Sequence, residues 1–415
     1  MQPGIIRDNL VLFGLSMVVN ALGFTFQFVM ARLLSPGEWA EMVAALSLLA
    51  LLSVPGTALN SLIIKIAGDL FVRGEGERLW RWVVVTGVRI GGFGLLVGIL
   101  LTLISGWISR LLQFDGSSSV IVLGLAFFFS ILAIVVKGAL AGTSAFSALG
   151  LVGVVETMSR LLSGVGMVVL GWAAAGAIAG TSVGALMATI VGGLAFYRIC
   201  RATRKPGTSE SQSVLTSGDQ LRVLAISIAF AVILNADVLL VKHYFSDLQA
   251  ANYSAVALIG RTLFFATAPV SVVLLPHVIR RYSSGQSIIG SLLVSVSLII
   301  AIVAVVSFTV ILYPQQVFSI AFPDVYDLDV TLLSIYIGAG SLLSLTYALT
   351  HLHIGAGNLG PWRFMLFMAI GMTVAIFVWH SSVRELAWIL TITLSISTVY
   401  LVIETTRLIR QKPNH

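Results

Sequence analysis

The chain has 415 residues, of which 58% are hydrophobic and only 10% are charged, and its mean hydropathy is +1.02. Soluble domains carry about 25% charged residues, so this composition excludes a soluble protein and predicts an all-α polytopic membrane protein. The net charge of +7 is assigned to loops on the cytoplasmic side of a membrane, where lysine and arginine accumulate, rather than to nucleic-acid binding.

Twelve apolar segments are long enough to cross a bilayer, which takes about 20 residues of helix. The predicted spans are 9–33, 39–66, 82–107, 119–141, 147–171, 176–199, 219–243, 249–276, 287–313, 328–352, 362–380 and 385–407. The first span is expected to stay uncleaved, because no small-x-small pattern ends it.

A basic stretch followed by a Pro/Gly/Ser-rich stretch predicts a cytoplasmic linker at 201–218. It separates an N-terminal six-helix lobe, 1–200, from a C-terminal six-helix lobe, 219–415. If the N-terminus is cytoplasmic, most of the 24 lysine and arginine residues fall in or beside loops on the cytoplasmic side. The positive-inside rule therefore places both termini in the cytoplasm.

The two lobes carry matched landmarks. Three residues of the first lobe have counterparts at nearly the same spacing in the second: Asn20 with Asn235, Trp39 with Tyr253, and Pro55 with Pro269. Because each lobe has an even number of spans, this pattern predicts a parallel repeat about an axis along the membrane normal. Pro55 with Gly56, and Pro269, are predicted hinges that interrupt spans 2 and 8, because proline removes a helical hydrogen bond.

Glycines in the N-terminal lobe recur at four-residue spacing. The sets are Gly176, Gly180 and Gly184 in span 6, and Gly87 with Gly91 and Gly94 with Gly98 in span 3. This spacing lets helix backbones approach closely inside a bilayer, so it predicts tight helix packing.

Ionisable side chains within spans are costly and should face one another or a water-filled cavity. The candidates are six cations and two anions: Lys65, Arg89, Lys137, Arg160, Lys242, Arg261, Glu156 and Asp237. Glu156 and Arg160 lie four residues apart, which predicts a same-face pair, either structural or in contact with a substrate. The three lysines lie near helix ends, where they either snorkel to the interface or serve function. Asp237 is expected to balance Arg261 or to take up a coupling ion.

The surplus of cations favours a passage for an anion, since arginine suits bidentate contact with phosphate oxygens. Signals for an enzyme are weak, because the chain has no phosphate-binding loop, no HExxH motif and no CxxC motif. With the single Cys200 there is no intramolecular disulfide, and no cofactor or metal is expected. His351 and His353 are interpreted as a polar loop edge rather than as metal ligands.

Two stretches resemble a known family: "ARLLSPGEWAEMVAALSLLALLSVPG" at 31–56 and "NADVLLVKHYFSDLQAANYSAVALIGRTL" at 235–263. Together with the six-plus-six arrangement, the chain resembles the polysaccharide-transporter flippases of the O-antigen type, in the multidrug/oligosaccharidyl-lipid/polysaccharide exporter superfamily. The resemblance implies a carrier in the bacterial inner membrane that moves an undecaprenyl-diphosphate-linked oligosaccharide to the outer leaflet. Its two lobes would alternate around a cavity lined by spans 1, 2, 7 and 8, and an ion gradient would drive it.

The resemblance and the charge pattern together define the expected site. The expected substrate-binding residues are Arg261, Lys65, Arg89, Lys242, Arg32, Asn20 and Asn235. The residues expected to couple an ion or balance charge are Asp237, Glu156 and Arg160. Membrane lipid and polysaccharide polymerase or assembly proteins are the expected partners.

Two other functions stay open from the sequence. One is a multidrug or toxin extrusion antiporter, which would favour acidic rather than basic cavity residues. The other is an enzyme that acts on lipid-linked sugars, which usually needs a large outside loop, whereas the longest outside loop predicted here is 314–327.

Overall fold

The structure is a computed structural model that describes residues 3–202, 217–283 and 289–410. These residues form fifteen α-helices and one π-helical stretch, with no β-strand among them. The α-helices are α1 (Pro3–Leu33), α2 (Pro36–Leu52), α3 (Pro55–Val72), α4 (Gly76–Leu103), α5 (Ser105–Leu111), α6 (Ser118–Gly142), α7 (Phe146–Met167), α8 (Ala173–Ala202), α9 (Ser217–Tyr244), α10 (Asp247–Ser283), α11 (Ile289–Leu312), α12 (Pro314–Ala321), α13 (Val330–Gly355), α14 (Trp362–Val378) and α15 (Val383–Arg410).

Nine helical segments of the described chain are long and apolar enough to cross a membrane. One of them, Phe146–Ala202, contains both α7 and α8, which the π-helical stretch Val168–Trp172 joins. The chain turns there at Gly171, whose φ of 88° suits glycine. Because Phe146–Ala202 contains two crossings, the nine segments supply ten crossing elements. The broken pair α2 and α3 counts as one more, and the shorter apolar α14 as another. The crossing elements are therefore twelve, as the sequence predicted. The protein is therefore an all-α, multi-pass membrane protein.

The chain divides into two compact units, Met1–Thr216 and Ser217–His415. The boundary falls inside the predicted linker, and residues 203–216 of that linker lie outside the described residues. Each unit has six crossing elements in the same order, and in each a short helix follows the third crossing: α5 in the first unit and α12 in the second. The outside loop predicted at 314–327 therefore contains a helix.

The second crossing begins with the same cap in both units. Ser35 forms a capping box in which its backbone N–H and its hydroxyl both donate to Glu38 Oε2 at 2.8 Å. At the start of α10, the backbone N–H and the hydroxyl of Ser246 donate to Gln249 Oε1 at 3.3 and 3.0 Å. A polar side chain three residues after a serine satisfies helix N–H groups that would otherwise lack partners.

The sixth residue of this helix also makes an equivalent hydrogen bond in both units, with a backbone N–H of the loop that follows the short helix. In α2 the Glu41 carboxylate accepts the Asp115 backbone N–H at 2.9 Å, and in α10 the Asn252 amide oxygen accepts the Asp327 N–H at 3.1 Å. These matched contacts correct the register predicted from the landmarks. Trp39 is the fourth residue of α2 and Tyr253 is the seventh of α10, so that pair is about one helical turn out of step.

The predicted interruption is present in one unit only. At Pro55 the helix is fully broken, because α2 ends at Leu52 and α3 begins at Pro55. At Pro269 the helix continues, since α10 extends without a break from Asp247 to Ser283. Gly56 serves packing, because a Cβ there would lie 2.7 Å from Ile134 Cδ1 of α6. A break like that at Pro55 is therefore absent at Pro269, and the hinge predicted there stays a prediction.

The glycine pattern of α8 fits the predicted close packing. A Cβ on Gly180 would lie 2.7 Å from the Arg160 carbonyl oxygen, and one on Gly184 would lie 2.6 Å from that of Glu156, so α8 lies directly against the backbone of α7. In α4 only part of the pattern is used. Gly98 faces Gly124 of α6, whereas no atom lies within 4 Å of where a Cβ on Gly87 would be.

Asp329 caps α13 and anchors it to α15. Its Oδ1 accepts the N–H groups of Thr331 and Leu332 at 3.0 and 3.1 Å, and its Oδ2 accepts Arg384 Nε at 2.7 Å. Partial burial works to raise the pKa of Asp329, but the contacts with Arg384 and the two N–H groups outweigh burial and hold that pKa below its ordinary value.

We expect Asp329→Ala to lower the free energy of unfolding by about 1 kcal/mol, the usual loss when a helix N-cap is removed. Because the pKa is lower in the folded protein, this stabilisation is complete above about pH 4 and is lost as the pH falls through the folded pKa. The thermal midpoints of wild type and variant in detergent should therefore differ at pH 7 and converge in acid. Asp324→Ala is the control, since Asp324 is exposed on the same loop. An equal loss from both substitutions would contradict the assignment.

Candidate functional site

Asp237 is the centre of a buried polar cluster in the second unit. It lies on α9 and is 0% exposed, although it sits within an apolar crossing helix. Arg261 Nη2 of α10 donates to Asp237 Oδ1 at 2.7 Å, and the Tyr253 hydroxyl donates to Oδ2 at 3.2 Å. The hydroxyl of Tyr336, from α13, donates to the same oxygen. Three donors from two other helices therefore hold one carboxylate, and the predicted pairing of Asp237 with Arg261 is present.

Close contact between α10 and α13 brings these donors together. A Cβ on Gly340 would overlap the Gly260 carbonyl oxygen, and a Cβ on Gly260 would lie 2.7 Å from the Tyr336 carbonyl oxygen. Only glycine at both positions lets the two backbones approach this closely. Arg261 follows Gly260 directly, so the crossing point places its side chain beside Tyr336.

The tyrosine rings complete the packing of the cluster. Tyr253 and Tyr336 are both fully buried, and their rings meet edge to face with centroids 5.2 Å apart. This geometry is favourable for aromatic pairs and leaves each hydroxyl free to reach a polar partner. Arg261 is 12% exposed at its side chain. Among Asp237, Tyr253, Tyr336 and Arg261, Arg261 is thus the only residue that is not fully buried.

Lys242 and Asn235 also have partners inside the second unit. Lys242 is 2% exposed and forms an ion pair with Asp247, the first residue of α10. The Asn235 side-chain amide donates to the Ala231 carbonyl oxygen of its own helix at 2.9 Å. Lys242 thus ties the end of α9 to the start of α10 instead of snorkelling to the interface.

The first unit holds a second group of ionisable side chains. Lys137 Nζ of α6 lies 2.9 Å from Glu156 Oε2 of α7, and both side chains are half-buried. The Arg160 guanidinium lies over the Phe26 ring of α1, 4.0 Å from its centroid, and Arg160 Nε is buried without a hydrogen-bond partner. Glu156 still interacts electrostatically with Arg160, as the same-face spacing predicted, but its close ion pair is with a lysine of a neighbouring helix.

The remaining predicted residues are spread over the first unit. Lys65 is half-buried on α3, and Arg89 is exposed on α4. Within the described residues, no carboxylate lies within the 4.0 Å of an ion pair from either of them or from Arg160. Asn20 is half-buried on α1, and Arg32 is exposed in its last turn.

Half of the six predicted cations have carboxylate partners, although only Asp247 adds an acid to the two that the sequence counted. Of the six cations, the three with carboxylate partners are Lys137, Lys242 and Arg261. The cations left without such a partner in the described part of the chain are Lys65, Arg89 and Arg160. The electrostatic argument for an anionic cargo thus depends on these three residues, all in the first unit.

Sequence reasoning missed Tyr336 and Glu41. Tyr336 lies in "IYIGAG", 335–340, where a tyrosine one turn before a glycine in an apolar helix signals a buried hydroxyl that needs a partner. Glu41 is 4% exposed and carries the contact with the loop after α5. His351 and His353 lie at the end of α13, beside the loop that follows it, and buried His353 Nε2 lies 3.1 Å from Thr405 Oγ1 of α15.

No protein-family model and no protein of curated function matches the sequence. Solved structures do match. One is an outward-facing multidrug resistance MATE family transporter of the MOP superfamily, with TM-score 0.63 and 17% identity, covering 98% of this chain and 95% of that chain.

Two further solved structures match over a similar share of both chains. The eukaryotic MATE transporter AtDTX14 has TM-score 0.65 and 16% identity, covering 97% of this chain and 95% of that one. A MOP superfamily transporter from Pyrococcus furiosus, described as having a binding pocket of reversed polarity that suggests a different function, has TM-score 0.63 and 15% identity, with 97% and 96% covered. At these identities the likeness shows the fold, which is that of the MATE transporters; it does not single out the flippase branch.

Proposed function

We propose that this chain is a secondary transporter that exports amphiphilic solutes by alternating access, as in multidrug and toxin extrusion, and that it performs no covalent chemistry. The similarity in fold over nearly the whole chain supports this class of function. The pairing of Lys137, Lys242 and Arg261 with carboxylates supports it as well. Three of the six cations are thus held by acids, and the surplus that argued against drug extrusion falls from four to three, because Asp247 pairs with Lys242.

Asp237 is the proposed point at which an ion gradient acts. A carboxylate inside a membrane span is expensive, and such groups face the interior of the helix bundle and mark ion or proton pathways. A proton or a metal cation that binds Asp237 competes with Arg261 and the two tyrosine hydroxyls, which come from α10 and α13. Ion binding thus loosens the attachment of α9 to these helices, and a ligand that prefers one arrangement shifts the population between them.

Efflux of ethidium from cells that overproduce the full chain tests this proposal. Wild type should export the dye, and collapse of the ion gradient should stop export. We expect Asp237→Asn to reduce gradient-driven efflux by at least about tenfold, equivalent to about 1.4 kcal/mol in a rate barrier. Glu77→Gln is the control, because Glu77 forms only an exposed pair with Arg81. Wild-type efflux by Asp237→Asn at equal protein levels would refute the coupling role.

A second candidate is the flipping of an undecaprenyl-diphosphate-linked oligosaccharide in a bacterial inner membrane. Arg160 favours it, because its guanidinium has an unpartnered buried Nε and no carboxylate at ion-pair distance in the described part of the chain. Such a group suits the oxygens of a diphosphate. The Pyrococcus furiosus relative supports the general point that one fold hosts pockets of different polarity.

Complementation separates the two candidates. In a strain that lacks its own flippase, restoration of the surface polysaccharide by wild type but not by Arg160→Gln would favour the lipid-linked cargo. A polysaccharide polymerase or assembly protein would then be the natural partner. Restoration without dye efflux would overturn the drug-export proposal, and dye efflux without restoration would overturn the flippase alternative.

A further inference from the structure

Arg89 lies on an exposed apolar face of α4. Its neighbours along this face are Val85, Val88, Phe93 and Leu96, and all four are exposed, Val88 at 71% and Leu96 at 64%. The opposite side of the helix carries the glycines that pack against α6. An exposed apolar strip on a membrane-crossing helix contacts lipid, so Arg89 faces the bilayer.

The depth of Arg89 makes this position costly. Trp80 and Trp82, with the exposed Arg78 and Arg81, mark the interfacial end of α4. Arg89 lies seven residues beyond Trp82 in the sequence, which is about 10 Å of helix rise. A charge inside a bilayer is costly, and this cost is relieved only where the charge meets water or an opposite charge.

The surrounding protein offers no opposite charge to Arg89 among the residues that the structure describes. Side chains of a helix tilt toward its N-terminus, so the guanidinium is directed back toward the interface that Trp82 marks. One turn deeper, Gly92 is exposed, and no atom lies within 4 Å of where a Cβ on it would be. Beside Arg89 there is therefore an open strip with room for an acyl chain.

We infer that Arg89 anchors a lipid-binding site on the outer face of α4, and that the occupant is an anionic phospholipid of the leaflet marked by Trp82. The phosphodiester oxygens accept the forked N–H groups of the guanidinium, and an acyl chain lies over Gly92 and Leu96. Because this face contacts the bilayer, the anion that reaches it is a lipid headgroup. A zwitterionic lipid binds less well, since its own ammonium competes for the phosphate. This inference does not depend on the solute that the protein transports.

Lipid binding to the purified full chain tests the site. The delipidated protein in mild detergent is titrated with phosphatidylglycerol and with phosphatidylcholine of the same acyl chains, and bound lipid is counted by native mass spectrometry. Wild type should prefer phosphatidylglycerol. Arg89→Gln should reduce that preference about fivefold, which corresponds to about 1 kcal/mol for one basic side chain at a membrane surface. Arg89→Lys should keep part of it, because lysine retains the charge but not the bidentate geometry.

The matched control is Arg81→Gln, two turns earlier on the same helix, where the arginine pairs with Glu77 at 3.1 Å. It should leave the preference unchanged. Equal loss from Arg81→Gln and Arg89→Gln would overturn the site in favour of general interfacial attraction, and so would an absent preference in wild type. As a second readout, phosphatidylglycerol should raise the thermal midpoint of wild type more than that of Arg89→Gln, because a bound ligand stabilises by mass action.

Discussion

Asp237→Ala is expected to lower the free energy of unfolding by about 3–5 kcal/mol, because it leaves the Arg261 guanidinium inside the membrane without its acid. The two tyrosine hydroxyls that donate to the carboxylate lose their acceptor at the same time. The thermal midpoint of the full chain in detergent measures the effect. Glu77→Gln, which breaks an exposed ion pair, should change stability by less than about 1 kcal/mol.

A double substitution distinguishes destabilisation by an unpaired charge from destabilisation by lost packing. If an unpaired charge causes the loss, Asp237→Asn combined with Arg261→Gln should be more stable than Asp237→Asn alone, since no uncompensated ion remains. Strict additivity of the two single losses would mean that Asp237 and Arg261 do not interact energetically. The 2.7 Å contact between them would then contribute nothing to stability.

Gly340→Ala is expected to destabilise the second unit by about 1–3 kcal/mol, the usual cost of inserting a methyl group into a filled contact. The added Cβ would overlap the Gly260 carbonyl oxygen, so α13 has to move away from α10. Tyr336 lies one turn before Gly340 and moves with the helix. Dye efflux should therefore decline together with the thermal midpoint.

Gly338→Ala is the matched control for this substitution. Gly338 lies two residues away on the same helix, and no atom lies within 4 Å of where its Cβ would be. Alanine also favours a helix by about 1 kcal/mol over glycine, so Gly338→Ala should be neutral or stabilising. A similar loss from both substitutions would show that helix propensity, rather than the contact with Gly260, explains the effect.

The architecture follows largely from the sequence. Inside lipid every backbone polar group must be satisfied within its own segment, so apolar stretches of about 20 residues fix the number and approximate ends of the crossing helices. The close packing at Gly180 and Gly184 follows from residue spacing alone, because only glycine permits that approach. The sequence also predicted the pairing of Asp237 with Arg261, as an alternative to the uptake of a coupling ion by Asp237. The reason is that a charge deep in a membrane span needs an opposite charge.

The partners of the other polar residues depend on the tertiary structure. Glu156 and Arg160 satisfy the spacing of a helical pair, yet Lys137 of α6 takes the acid and Phe26 of α1 receives the arginine. Tyr336 reaches Asp237 from 99 positions away in the chain. Interactions between helices outweigh the few tenths of a kcal/mol that a pair on one helix contributes.

The sequence by itself determined that this protein spans the membrane twelve times in two like halves, because the length and polarity of its apolar segments decide how often the chain crosses a bilayer. Only the tertiary structure decided which way each charged side chain faces. In a soluble helix the polar face points to water, but a helix that is apolar on all sides gives no such signal. Arg89 was therefore predicted as a cavity residue and lies on an exposed apolar strip of α4, whereas Asp237 is enclosed by donors from α10 and α13.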